Sequence, residues 1–455
     1  MTDTTLRASD LHIEADWPIE RKIRFLQDFL FEHFFDENGL MYCMWKWTDT
    51  ELRPFRRSDF DGYSFPSSSD GFGPEGHQNN ENSSCYSAMF LWSQVERFKA
   101  TGEEQALEYA AKAFRSLDRV FQLTEAEGHR GYLCKPYHGR VSTQTSPDQY
   151  IFSLVPMWNY REIAPKETRE RIDDLLPAMA DWWREHKYRI NFFDMDMSGC
   201  DSDPWHNPGM TALNIMAWLI TGDAKYQREA HRLIGLGGAM PTYYDIERRR
   251  LLETGSVHQD WYFDGYLADE SRKHQTLIDF ESRGAVAMAV WPLPFLFQHD
   301  FTRAHVFKHA LARYWRHMQY GLRDDMLSYY TIQVDLERDT WATCNVPPTP
   351  ESIARPPYNW HFCAYYSKVC WGDSVARIPI VSAIAHQYAG DFCPGAPALA
   401  RKVLTRLDDT RLHWFIDPDG QQLLPPDRWL DQCTGEMLID ACLGYWYARA
   451  QGVDM

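Results

Sequence analysis

The chain is poor in several things that commonly announce a function. Its ten cysteines include no CxxC pair, and the closest two, Cys363 and Cys370, lie seven residues apart. That spacing argues against a disulfide framework and for buried, reduced thiols in a cytoplasmic protein. Basic charge is scarce: 47 Lys and Arg stand against 64 Asp and Glu, a formal charge of −17. A nucleic-acid binder needs clustered cations to neutralise phosphates, and an anionic lipid surface asks the same. Neither partner is expected. The longest apolar run, "AVAMAVWPLPFLF", is too short to span a bilayer and contains Pro292 and Pro294. The first residues, "MTDTTLRASDLHIEADW", show no basic n-region and no apolar h-region, so no signal peptide is expected.

Cofactor and nucleophile motifs are missing too. There is no GxGxxG after a strand, no Walker pattern, no GxSxG elbow and no HExxH. Asp201, Asp203 and His206 in "CDSDPWHN" form one Asp-x-Asp with a nearby His, too little to specify a metal. The reading is therefore no metal and no cofactor.

What the chain does have is a repeated helical grammar. Apolar residues recur at helical spacing, stop at a short breaker, and resume, in "ENSSCYSAMFLWSQVERFKATGEEQALEYAAKAFRSLDRVF" and again in "GMTALNIMAWLITGDAKYQREAHRLI". A third copy, from Asp148 onward, breaks at "APKE", and two more pairs follow with longer insertions. The breakers near Gly102, Pro165 and Gly222 are spaced at about sixty residues, a helix-hairpin period. An unpaired helix remains at each end, "IERKIRFLQDFLFEHFF" and "EMLIDACLGYWYARAQ". Pairing those two gives six hairpins and twelve main helices. The fold expected is all-α, an (α/α)6 toroid over residues 1–455 as a single domain, with the more apolar first helix of each pair inside. An open helical solenoid is the alternative. "MLSYYTIQVDL" reads as a small hairpin.

In a toroid every inner helix runs the same way, so the segments leading into them meet at one mouth. These segments are "GPEGHQNNENSS", "STQTSPDQY", "CDSDPWHNPGM", "IDFESRG", "YSKVCWGDSVAR" and "LDQCTGE", and each carries a carboxylate. Helix capping explains any one of them. All six together, beside aromatic-rich insertions, point to a binding cleft. The first segment is read as a loop that begins near Asp70. Two insertions add Ser256, His258, Asp260, Trp261 and Tyr262, and then Trp360, His361, Asp373 and Arg377. Aromatic faces beside carboxylates and amides suit sugar rings and their hydroxyls.

On the "TGD"-type turns at 101–103 and 221–223 and the "SPDQY" segment at 146–150, the chain resembles (α/α)6-toroid carbohydrate-active enzymes, especially unsaturated glucuronyl and rhamnogalacturonyl hydrolases. The resemblance implies a glycoside hydrolase with a mouth aspartate as general acid or base, and Asp148 is the position most like one. Candidate catalytic residues are Asp148, Asp70, Glu81 and Asp260, with His258 assisting; Gln149 and Tyr150 could orient a sugar hydroxyl. Trp205, His206, Trp261, Tyr262, Trp360, His361 and Asp373 would bind sugar. Arg283 and Arg377 could hold a uronate carboxylate or neutralise buried acids. Two alternatives stay open: a sugar epimerase or isomerase with His258 and His361 as bases, and a non-catalytic glycan-binding scaffold. The sugar and the oligomeric state are not legible.

Overall fold

The computed structural model describes residues 5–61, 72–192, 195–202, 205–237, 275–278, 287–299, 304–329, 332–335, 340–343, 369–370, 372–413 and 432–455. Its helices, in chain order, are α1 (Ile19–His33), α2 (Gly73–Asn80), α3 (Ser83–Thr101), α4 (Glu104–Ala126), α5 (Pro147–Ile163), α6 (Lys166–Glu185), α7 (Asn207–Thr221), α8 (Ala224–Gly237), α9 (Leu293–His299), α10 (Ala304–His317), α11 (Gly372–Val375), α12 (Ile378–Ala389), α13 (Ala396–Thr405) and α14 (Gly435–Ala450).

Six of these form a closed inner ring, in the order α14, α3, α5, α7, α9 and α12, with α12 returning to α14. Phe297 and Tyr388, stacked at 4.3 Å, join α9 to α12. Six others lie outside: α1 against α14, α4 against α3, α6 between α5 and α7, α8 against α7, and α10 and α13 against α12. This is the (α/α)6 toroid, closed where the chain's ends meet. Trp446 donates its indole N–H to Gln27 at 2.9 Å, and Tyr445 donates its hydroxyl to Glu20 at 3.1 Å.

The sequence explains which helix goes where. In α3 every residue from Ser83 to Arg97 is buried, and in α14 every residue from Gly435 to Ala448. A helix without a charged stripe has no face for water. The outer α4 buries one side only, through Ala106, Ala110, Ala113, Leu117 and Phe121. Two hairpin turns use one device. Thr101 and Thr221 donate their hydroxyls to the carbonyls four residues back, and Gly102 and Gly222 end α3 and α7 at φ +72° and +69°. Glycine takes this left-handed cap without penalty.

Three features depart from the expectations. "GPEGHQNN", read as loop, is helix α2; Pro74 is tolerated in its first turn, where the missing N–H would have had no partner. A four-stranded antiparallel sheet, ordered Leu6–Arg7, Glu51–Pro54, Met44–Trp47 and Gln432–Thr434, ties the N-terminal region to the segment entering α14. The described strands of the segment read as a hairpin pair elsewhere: Ser328–Tyr329 pairs with Val369–Cys370, and Ile332–Asp335 pairs with Gln275–Ile278 and Thr340–Thr343. Cys43, Cys85, Cys393 and Cys442 are buried thiols. No helix among the described residues is long and apolar enough to cross a membrane.

Candidate active site

The inner-helix N-termini meet at one end of the ring, and below them the centre is closed by aromatic rings. Trp92 meets Trp291 edge-on at 6.0 Å and Tyr447 at 5.7 Å, while Phe152 packs on Trp291 at 5.5 Å. Trp92 sits ten residues into the chain from Asn82, roughly 15 Å along a helix. The ring is thus a cup with an apolar floor.

A polar belt runs around its mouth. At the start of α12, Arg377 forms ion pairs with Glu436 and Asp440 of α14. Glu436 accepts the Tyr86 hydroxyl of α3 at 2.8 Å. One turn earlier, Asn82 accepts from Gln149 of α5 at 2.8 Å and from Lys135 at 3.4 Å. Lys135, 1% exposed, donates to Glu81 at 2.9 Å, and the other Glu81 oxygen lies 2.9 Å from His77 Nε2. The belt therefore connects the N-terminal ends of four successive inner helices.

Its electrostatics follow from burial. Burial alone would raise the Glu81 carboxyl, but its interactions with His77 and Lys135 outweigh it and hold the group well below the usual carboxylate range. Lys135 behaves in mirror image: burial would lower it, while Glu81 and then Asp148 raise it above an ordinary lysine. Burial pushes the Cys85 thiol far up, so it is a neutral neighbour of Asp148.

The expected site residues fall into three groups. Asp148 lies in the first turn of α5, half-buried, accepting from Gln149 at 3.2 Å and within the field of the Lys135 ammonium. Glu81 joins α2 to α3, His206 precedes α7, and Arg377 precedes α12, so the same end of the ring gathers all four. Trp205, at 3% exposure, is packed in the core rather than presented as an open stacking face. Arg377 takes the second of its two anticipated roles, neutralising buried acids. Asp373 is placed only as part of α11. Asp70, His258, Asp260, Trp261, Tyr262, Arg283, Trp360 and His361 lie outside the described residues, as does Asp203.

One expectation needs correction. Tyr150 does not reach the mouth; it is fully buried, its hydroxyl accepts the Leu133 N–H at 2.9 Å, and its ring stacks on Trp182. Successive helical residues diverge by about 100°, so Asp148, Gln149 and Tyr150 cannot all face one cup. Sequence reasoning missed Lys135, Asn82, Tyr86 and Asp440. A lysine among aromatic and apolar neighbours, as in "GYLCKPY", was the available signal for the first.

Among the described residues no group of three or more His, Cys, Asp or Glu could hold a metal ion. No family model matches the sequence, and no curated protein matches it. Among solved structures, a sugar epimerase from a ruminal bacterium is similar at 13% identity and a TM-score of 0.48, over 96% of this chain and all of that one.

Proposed function

We propose that this chain is a sugar-processing enzyme of the epimerase or isomerase kind, moving a proton on the carbon beside a carbonyl within the cup. The observation that carries the reading is that, among the described residues, mouth carboxylates are committed to buried cations: Glu81 to Lys135, with His77 on its other oxygen, and Glu436 and Asp440 to Arg377. A glycosidase needs one carboxyl kept protonated against the leaving oxygen. Glu81 is held ionised and cannot serve as that acid.

Proton transfer beside a carbonyl asks for something else. It needs a base to take the proton and a fixed cation or donor near the oxygen that becomes negative. His77, oriented by Glu81, is suited to the first task, and the Lys135 ammonium to the second. His206, at the mouth end of α7, is a candidate for returning the proton to the opposite face. The converging helix N-termini add partial positive charge that favours an enediolate.

Among the described residues the glycosidase reading keeps one support, the half-buried Asp148 carboxylate at the same mouth. One experiment separates the two. Free aldoses, ketoses and reducing disaccharides, together with aryl glycosides, are incubated with the protein in D2O. An epimeric or ketose product carrying deuterium at the carbon beside the carbonyl is expected, with the aryl glycosides intact. Release of the aryl group without deuterium uptake would establish hydrolysis instead.

A further inference from the structure

A cleft of about 670 Å³ opens on the rim beside the cup, between the C-terminal ends of α4 and α6 and the segment leading into α5. Its volume lies within the range of about 300–1,000 Å³ typical of small-molecule sites. The back wall is aromatic: Tyr132 stacks on Trp182 at 5.1 Å, and His186 covers Trp182 at 4.2 Å. Ser142, Thr143 and Asn191 supply hydroxyl and amide groups along the sides.

Charge decides what could fit. Arg189 is engaged by Asp196, and the lining carries a second carboxylate at Glu127. Two carboxylates against one paired guanidinium disfavour a phosphate or a uronate, whereas rings and hydroxyls suit a neutral sugar. The cleft also adjoins the belt. Ser142, which lines it, donates to the Lys135 carbonyl at 2.8 Å, so one segment serves both sites. Phe72, another wall, packs on Tyr137 at 5.3 Å, and Tyr137 stacks on His77 at 5.9 Å.

The geometry points to a second, outer sugar site: the cleft binds the neutral arm of a substrate longer than one sugar unit, whose reacting end occupies the cup. This rests on the sugar-processing reading of the cup. It adds a claim about substrate length and about where the extra units lie.

The test fills the cleft from its exposed edge with Thr143→Trp, and independently with Val141→Trp in case the first variant melts early. Binding of neutral oligosaccharides of one to four units is followed by saturation-transfer NMR, alongside turnover. The parent should bind the longer members more tightly. Thr143→Trp should lose about tenfold in affinity and in kcat/KM for them, with the single sugar and the melting temperature unaffected. Length-independent binding by the parent, or an equal loss for short and long sugars in a folded variant, would overturn the proposal. Were no sugar turned over at all, the reading of the cup would fall, while the binding series would still decide the cleft: a length preference removed by the plug supports it, and absence of binding ends it.

Discussion

Lys135 and His77 grip opposite oxygens of the Glu81 carboxylate, each at 2.9 Å. Glu81 closes α2 while Lys135 arrives from the segment after α4, so this contact fixes the position of α2 over the mouth. Removing the anion takes from the buried Lys135 ammonium the carboxylate it is hydrogen-bonded to, leaving it the field of Asp148. Glu81→Gln should therefore cost about 3–5 kcal/mol in stability, the usual penalty for breaking a buried pair. Adding Lys135→Met should recover part of the loss, since both charges are then gone. Urea midpoints of the three proteins check this, and a single variant as stable as the parent would refute it.

The same pair sets a pH window. The folded Glu81 carboxyl lies below its unfolded value, so its contribution is complete above about pH 4.3 and disappears as pH falls through the folded value. The folded Lys135 lies above its unfolded value, so its contribution is complete below about pH 10.4 and disappears as pH rises through the folded value. The stability advantage of the parent over the Glu81→Gln/Lys135→Met double variant should be flat between those limits and shrink on both sides. Denaturation across that range measures it.

How much of this was legible in the sequence depends on the range of the signal. The inner helices were readable because α3 and α14 carry few charges and no charged stripe, and the hairpin turns because Thr-Gly marks a left-handed cap. The strand Met44–Trp47 was not, because all four of its residues are buried and no alternation survives in "MWKW". Helix α2 escaped because Gly, Pro and Asn are poor helix formers, and its place is secured by Asn79 bonding to Phe55 and by Glu81 bonding to Lys135. The belt joins partners 54 residues apart at Lys135 and Glu81, and 63 apart at Arg377 and Asp440. No local pattern encodes such pairs.

Arg377 binds two acids at the α12–α14 seam, Glu436 and the fully buried Asp440. Arg377→Met strands both and should cost about 3–5 kcal/mol near neutral pH. Buried acids without a cation resist ionisation, so the variant takes up protons at higher pH than the parent. Its deficit should narrow as the pH is lowered from neutrality toward 5, roughly where raised carboxyls titrate. A deficit independent of pH would mean that lost packing, rather than stranded charge, explains the cost.

At the same seam the backbones nearly touch. A Cβ on Gly444 would stand 2.5 Å from the Pro379 Cβ and 2.8 Å from the Ile380 nitrogen. Gly444→Ala should lower stability by about 1–3 kcal/mol through overpacking, despite alanine's better helix propensity. Gly102→Ala makes a useful contrast: nothing crowds that site, and its cost would come from the positive φ alone. A melting temperature for Gly444→Ala equal to or above that of the parent would show that α12 can move away from α14.

Asp148 carries the sharpest test of chemistry. Its carboxylate sits in the first turn of α5, accepts from Gln149 at 3.2 Å, and helps hold Lys135 above the ordinary lysine range. Two roles compete. As a mere helix-end charge it contributes about 0.3–1 kcal/mol to stability. As a group that moves or steers a proton it is worth about 10²–10⁴-fold in rate. Asp148→Asn keeps the shape and the bond from Gln149 while removing the charge. It should lower kcat by at least a hundredfold (roughly the bottom of that range) and shift the melting temperature little. Lys135 would lose one of the two carboxylates that raise it, so the alkaline limb of the variant's stability should move to lower pH, a change that pairing with Glu81 alone would not produce. Near-parental turnover with that alkaline shift present would make Asp148 an electrostatic support for Lys135, and the search for the proton-moving group would then turn to His77 and His206.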